Sequence, residues 1–226
     1  MMRLIAFLIA GVALTGCSML PGSDGRSARE GTRQASRPGT PAHVPSAAGR
    51  QCLTRLGAAN ANFTPLPDKH YGAGCSTQNT VQLSALASDD SSLGISNLGP
   101  VTCPLADTFA GWARFGADRA ARQVLGSRLV RIETMGSYNC RNVAGSSRRS
   151  AHSTADAIDV SAFVLADGRR ISVKQGWSGG SSAEREFLRI VHQSACKRFG
   201  TVLGPEYNAA HQDHFHMETG GRSFCR

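Results

Sequence analysis

The sequence predicts an α+β fold, a mainly antiparallel sheet with packed helices. Two long segments carry apolar residues at helical spacing, and a third reads as a hairpin of two strands. Helical and strand segments are grouped rather than alternated, which argues against a parallel α/β sheet. Residues 51–226 are a normal size for one domain with its own core, and no internal repeat is present.

Residues 1–17 carry one early positive charge and then an apolar run. This is the pattern of a secretory signal peptide, too short to span a membrane as a helix with conventional flanks. Residues 18–50 are rich in Ser, Gly, Arg, Pro and Ala and have almost no large apolar side chain after Leu20. Such a stretch buries too little surface to offset its ordering entropy and is expected to be a flexible linker.

A short helix is expected to start near Cys52. From Ala106 to Leu125, the residues Phe109, Trp112, Ala113, Gly116, Ala120 and Val124 recur at spacings of three and four, which places them on one buried helix face. Gly126 suits its C-terminal cap. Leu129–Met135 is rich in strand formers, and Ala157–Leu165 and Arg170–Val173 flank an Asp167-Gly168 turn, a hairpin signal. A second helix is expected from about Ala183 to Arg198, with Ser181 and Glu184 at capping-box spacing and Phe187, Leu188, Val191 and Ala195 facing inward. His192 lies on or beside that face and reads as structural. His214–Glu218 is expected to form a last strand.

Seven cysteines are present. Setting Cys17 aside leaves Cys52, Cys75, Cys103, Cys140, Cys196 and Cys225, an even number that argues for disulfides in an exported chain. Six cysteines allow 15 pairings. Sequential pairing, Cys52–Cys75, Cys103–Cys140 and Cys196–Cys225, closes moderate loops and is the expectation adopted.

The chemistry is concentrated in two segments. Ser150-Ala-His152-Ser-Thr-Ala155-Asp-Ala-Ile-Asp159 carries a His and an Asp seven positions apart, and His211-Gln-Asp213-His214-Phe-His216 carries the other histidines. Two imidazoles and one carboxylate can hold a zinc ion and leave one coordination place open, as catalytic zinc sites do. His214 and His216 share one strand face, given its period of two. The formal charge of +9 suggests anionic partners. Nucleic acid is excluded as a partner because the chain is exported and no basic stripe interleaves with aromatics.

Two resemblances add to this. Leu14-Thr15-Gly16-Cys17 resembles the lipobox of bacterial lipoproteins, which implies lipidation at Cys17. Ser18 after it implies an outer-membrane lipoprotein facing the periplasm of a Gram-negative bacterium. The His152/Asp159 segment with the late His-x-His resembles the superfamily of D-Ala-D-Ala metallopeptidases, murein endopeptidases and the zinc domain of Hedgehog proteins. Within it, residues 51–226 look most like the bacterial extensin-like C-terminal domain, through Gly136-Ser-Tyr138-Asn-Cys140-Arg141, residues 165–173, Gly200 to His211 and the terminal Cys225-Arg226.

The resemblance implies a zinc peptidase acting on peptidoglycan peptides, either cross-link or stem, with a Hedgehog/DD-peptidase-like fold. It implies His152, Asp159 and His216 as zinc ligands and Asp213 as general base, with His214 beside the metal as a second catalytic group. Arg141 and His211 would contact substrate. Ser150 would position the loop or bond a ligand. Two departures stand out: Ala155 occupies a position where the superfamily has Gly, and Arg141 is separated from Tyr138 by two residues. The competing expectation is a non-catalytic, disulfide-stapled lipoprotein that binds wall peptide and uses zinc only for structure.

Overall fold

The computed structural model describes residues 45–220 and 223–226. Residues 1–44, which hold the expected signal peptide, Cys17 and most of the expected linker, lie outside the described residues. The first helix, α1, spans Ala47–Ala58, so the last residues of the stretch read as linker are helical. Ser46 caps it, its Oγ accepting from Gly49 N at 3.0 Å.

Six strands follow that the sequence reading did not place: β1 Asn62–Pro65, β2 Lys69–Gly72, β3 Cys75–Thr77, β4 Thr80–Ala87, β5 Ser92–Ser96 and β6 Pro100–Thr102. Helix α2 begins at Cys103 and runs to Trp112, then continues through two π-helical turns, Ala113–Asp118 and Ala121–Leu125. It ends on Gly126 at φ 69°, the left-handed cap expected there. Strand β7 is Leu129–Gly136, β8 Ala157–Leu165 and β9 Arg170–Ser172. The last two pair antiparallel around Asp167-Gly168, as the hairpin signal predicted. A short helix α3, Val173–Gly179, was not foreseen. Helix α4 spans Ser182–Cys196, and its capping box between Ser181 and Glu184 is present. Strands β10 Thr201–Leu203, β11 Phe215–Glu218 and β12 Phe224–Cys225 complete the chain.

Ten of these strands form one sheet in the order β1-β4-β5-β7-β8-β11-β10-β12, with β6 on β4 and β9 on β8. Most pairs are antiparallel; β5–β7 and β10–β12 are parallel. The expectation of an α+β fold with a mainly antiparallel sheet therefore holds, with two parallel pairs within it.

Packing follows from the apolar faces. Trp112, Phe109, Phe163, Phe187 and Phe215 are fully buried, and burial of a large side chain of this kind contributes roughly 1.5–3 kcal/mol. Trp112 donates its indole N–H to Val191 O at 3.2 Å, joining α2 to α4. Gly116 lets the two helices approach: a Cβ there would sit 2.3 Å from Ser194 Oγ. Buried Asp118 accepts from Ser88 Oγ (2.6 Å), Leu129 N (2.7 Å) and Arg122 Nε (2.9 Å), and so fixes the start of β7 to the helix.

The disulfides correct the sequential expectation in two of three cases. Cys52 pairs with Cys103 and Cys75 with Cys140, whereas Cys196–Cys225 stands as expected. The bridges span 51 and 65 residues. Packing decides the pairing: α1 lies against α2, bringing Cys52 to Cys103, and β3 lies beside the turn that follows the loop of Cys140. Cys225 sits on β12, which pairs with β10, so its bridge braces β11 through β10.

Candidate metal centre and cleft

Two strands and one tight turn build the centre. Strands β8 and β11 are antiparallel neighbours, and their register sets Asp159 directly opposite His216. Directly opposed side chains on one sheet face have Cβ atoms about 4.5–5.5 Å apart. His152 comes from a 3-10 turn, Ala151–Thr154, that feeds β8. Ser150 starts this turn, its Oγ accepting from His152 N at 3.4 Å, while its backbone N donates to Arg141 O. Ser150 thus shapes the His152 loop and also lines the cleft described below.

Ala155 closes the turn at φ 57°, which explains why glycine suits this position. Left-handed backbone carries no penalty for Gly and costs other residues roughly 1–2 kcal/mol. The carbonyl of Ala155 is held by Thr102 N at 2.9 Å and Ser137 Oγ at 3.4 Å, so its neighbours keep the turn in place. Asp156, next along, accepts from Thr102 Oγ1 and Thr219 Oγ1, tying the end of β11 to the same turn.

The ligand atoms converge. His152 Nε2 lies 3.2 Å from His216 Nδ1 and 3.2 Å from Asp159 Oδ2, and His216 Nδ1 lies 2.8 Å from Asp159 Oδ1. All three residues are buried. A four-coordinate zinc with ligands about 2.0–2.2 Å away separates its ligand atoms by roughly 3.3–3.6 Å, so a small relaxation brings this set to that spacing. The opposite ring nitrogens are spoken for. His152 Nδ1 donates to the Ser137 carbonyl oxygen, and His216 Nε2 donates to Glu218 Oε1 at 2.7 Å. Such outer partners fix the tautomer and the ring orientation of metal-binding histidines. The donor set, its spacing and its oriented rings fit zinc.

Electrostatics give the same picture. Burial alone would raise the Asp159 carboxyl, but its hydrogen bonds with His152 and His216 outweigh burial and hold it below the usual carboxylate range. Burial would lower His216, yet Asp159 and Glu218 on its two nitrogens raise it to about 9. Without a metal, His216 is therefore a cation clamped between two carboxylates, and a metal would take the place of its Nδ1 proton.

The centre lies at one side of a cleft of about 470 Å³, whose lining includes Arg141, Arg148, Tyr207, His211, His214, His216 and Glu218. His214 is buried, with Nε2 3.6 Å from Asp159 Oδ1. Its Nδ1 donates to Asp213 Oδ1 at 2.9 Å. Asp213 thus meets the centre through His214, and it lines a neighbouring concavity rather than this cleft. His211 packs edge-on against Tyr207 and at a tilt against His214 and donates Nδ1–H to Asn208 Oδ1 at 2.7 Å. Burial, then the His214 and His216 charges, lower its pKa to about 4, so it is neutral at pH 7. Arg141 is exposed at the rim, next to the Cys75–Cys140 bridge.

The sequence reading missed Ser137, Asp156 and Glu218. Glu218 carried a signal, since it follows His216 by the strand period of two. Ser137 meets His152 through its main-chain carbonyl and carried none. His192 is structural, as read: it is buried against Trp177 and Phe215. It also approaches Cys196 and Cys225, but those sulfurs are joined in a disulfide and offer no thiolate.

The family described as "Extensin-like protein C-terminus" matches residues 50–226. No curated protein and no solved structure matches the chain.

Proposed function

We propose that this chain, which belongs to the extensin-like C-terminus family, is a zinc-dependent peptidase that acts on peptidoglycan peptides in the cell envelope. The reading includes kinship with the Hedgehog and D-Ala-D-Ala metallopeptidase superfamily. One observation carries it: His152 Nε2, Asp159 and His216 Nδ1 converge beside an open, cationic cleft. Those three residues would hold the ion. A bound zinc would supply a Lewis acid for a substrate carbonyl and a water acidified to near neutrality.

The chain's own groups do the rest. Ser137 and Glu218 hold the two ligand rings in place. Asp213 keeps the Nδ1 proton on His214, which leaves His214 Nε2 as a proton acceptor beside the ligand cluster. A carboxylate behind a histidine fixes its tautomer and stabilises the imidazolium formed when it takes a proton. Asp213 thereby contributes to base catalysis through His214 rather than by direct contact. Arg141 and Arg148 at the rim suit substrate carboxylates, which arginine binds through forked donors.

The address completes the proposal. The apolar leader and Leu14-Thr15-Gly16-Cys17 suit a lipid-anchored protein of the outer membrane facing the periplasm, and the disulfides suit an oxidising compartment. The test of activity is mass spectrometry of muropeptides incubated with the zinc-loaded chain. Cleavage supports the peptidase; binding without cleavage leaves a wall-binding lipoprotein. For the anchor, Cys17→Ser should release the protein from the membrane fraction, and unchanged fractionation would refute lipidation.

A further inference from the structure

A second concavity, of about 330 Å³, adjoins the centre and is lined by Met135, Ser161, Arg170, Ser172, Lys174 and Asp213, among others. The first cleft rests on β10, β11 and the loop of residues 141–150, whereas this one rests on β7, β8, β9 and the start of α3. Strand β11 pairs with residues 157–160 of β8, and β9 pairs with residues 162–164. The Asp159–His216 pair therefore lies between the two hollows. They meet at one contact, since His214 lines the first, Asp213 the second, and the two side chains are hydrogen bonded.

The second hollow is built by irregular sheet geometry. Along β7 and β8 the register passes from Glu133↔Ala162 to Thr134↔Val160 and then to Gly136↔Asp159. Ser161 and Met135 are the residues skipped, one on each strand. Bulges of this kind re-aim side chains and concentrate next to active sites. Both bulged residues line the second hollow, and Met135 is half exposed, a large apolar side chain with no place in the core.

The first cleft is the more cationic, since Asp213 lines the second and offsets charge there, but each end offers an exposed cation. Arg141 and Arg148 lie on one side; on the other, Arg170 is paired with Glu133 at 2.7 Å. Lys174 is exposed and makes no ion pair among the described residues. We infer that substrate occupies both hollows at once and crosses the Asp159–His216 pair. The chain then cuts within a peptide that carries carboxylates on both sides of the bond, as an endopeptidase, rather than trimming a terminal residue. This rests on the peptidase reading above and names its substrate class.

The experiment compares two probes, a tetrapeptide–tetrapeptide cross-linked muropeptide dimer and a monomeric pentapeptide. It uses the full zinc-loaded chain, Lys174→Glu, and Lys197→Glu as a charge-matched control that lines neither hollow. The carboxylate introduced by Lys174→Glu would stand in the first turn of α3, where an acid is favoured, so the fold is preserved. The expected result is conversion of the dimer to monomers, with KM raised about five- to tenfold in Lys174→Glu and unchanged in Lys197→Glu. Release of the terminal residue from the pentapeptide with the dimer untouched overturns the inference, and so does an unchanged KM in Lys174→Glu. If the wild type cuts neither probe, the peptidase reading falls, and binding of the intact dimer decides the groove. Weaker binding by Lys174→Glu sustains the two-sided groove; equal binding overturns it.

Discussion

Asp159 and His216 face each other across β8 and β11, Asp159 Oδ1 lying 2.8 Å from His216 Nδ1. Residues separated by most of the domain's second half become one site because two strands pair in one register. A slip of one residue would turn either side chain to the opposite face of the sheet. Asp156, holding both Thr102 and Thr219, is one of the contacts that oppose such a slip.

Metal content tests the ligand set. The purified chain should hold close to one zinc, lost in His152→Ala, Asp159→Ala or His216→Ala and largely kept in His214→Ala. Glu218→Gln should weaken zinc binding by about 10–100-fold, the usual cost of removing an outer partner of a ligand, with activity restored by excess zinc. Full occupancy in His216→Ala would refute the assignment.

The pH dependence has opposite signs with and without metal. His216 has a folded pKa of about 9 in the zinc-free chain, above its usual value of about 6.5. Its stabilising contribution is then fully present below about pH 6.5 and lost as pH rises through about 9. Asp159, depressed in the folded state, contributes above its usual range and loses that contribution as pH falls. The melting temperature of the zinc-free chain should drop between about pH 7 and 9.5, and His216→Ala should lack that drop. Zinc affinity should instead rise with pH over the same window, because binding displaces the His216 proton.

A double-mutant comparison tests the Asp213–His214 pair. Asp213→Asn should keep fold and zinc but lower turnover by at least about a hundredfold, the low end for acid–base catalysis. If Asp213 works through His214, the double variant Asp213→Asn/His214→Ala should be no slower than His214→Ala alone, since groups acting as a unit are not additive. Additive losses would return Asp213 to a role of its own.

The Cys75–Cys140 bridge is expected to serve both stability and binding. Replacing both cysteines by serine should cost about 2–4 kcal/mol, read from denaturant unfolding. Zinc should remain, while KM for acidic peptides rises, because Arg141 adjoins Cys140. Peptide mapping without reduction should recover Cys52–Cys103 and Cys75–Cys140 as linked pairs.

The features legible in the sequence were local ones. The Ser181–Glu184 capping box, the Gly126 cap and the Asp167-Gly168 hairpin each depend on a few adjacent residues, and all are present. Strands β1 to β6 were not legible, because most are short and the longest, β4, alternates irregularly between buried and accessible positions. Their pairing partners, rather than their own residues, hold them extended.

By itself the sequence determined which side chains were available: two histidines and an aspartate at fixed spacing, an even set of cysteines, and the apolar faces of two helices. Tertiary structure alone decided which of them meet. It joined Cys52 to Cys103 rather than to Cys75, set Asp213 behind His214, supplied the Ser137 carbonyl to His152, and bulged Met135 and Ser161 beside the centre. The physical reason is that caps and turns are settled within a few residues, whereas disulfide pairing, strand register and bulges depend on contacts made only once distant segments pack.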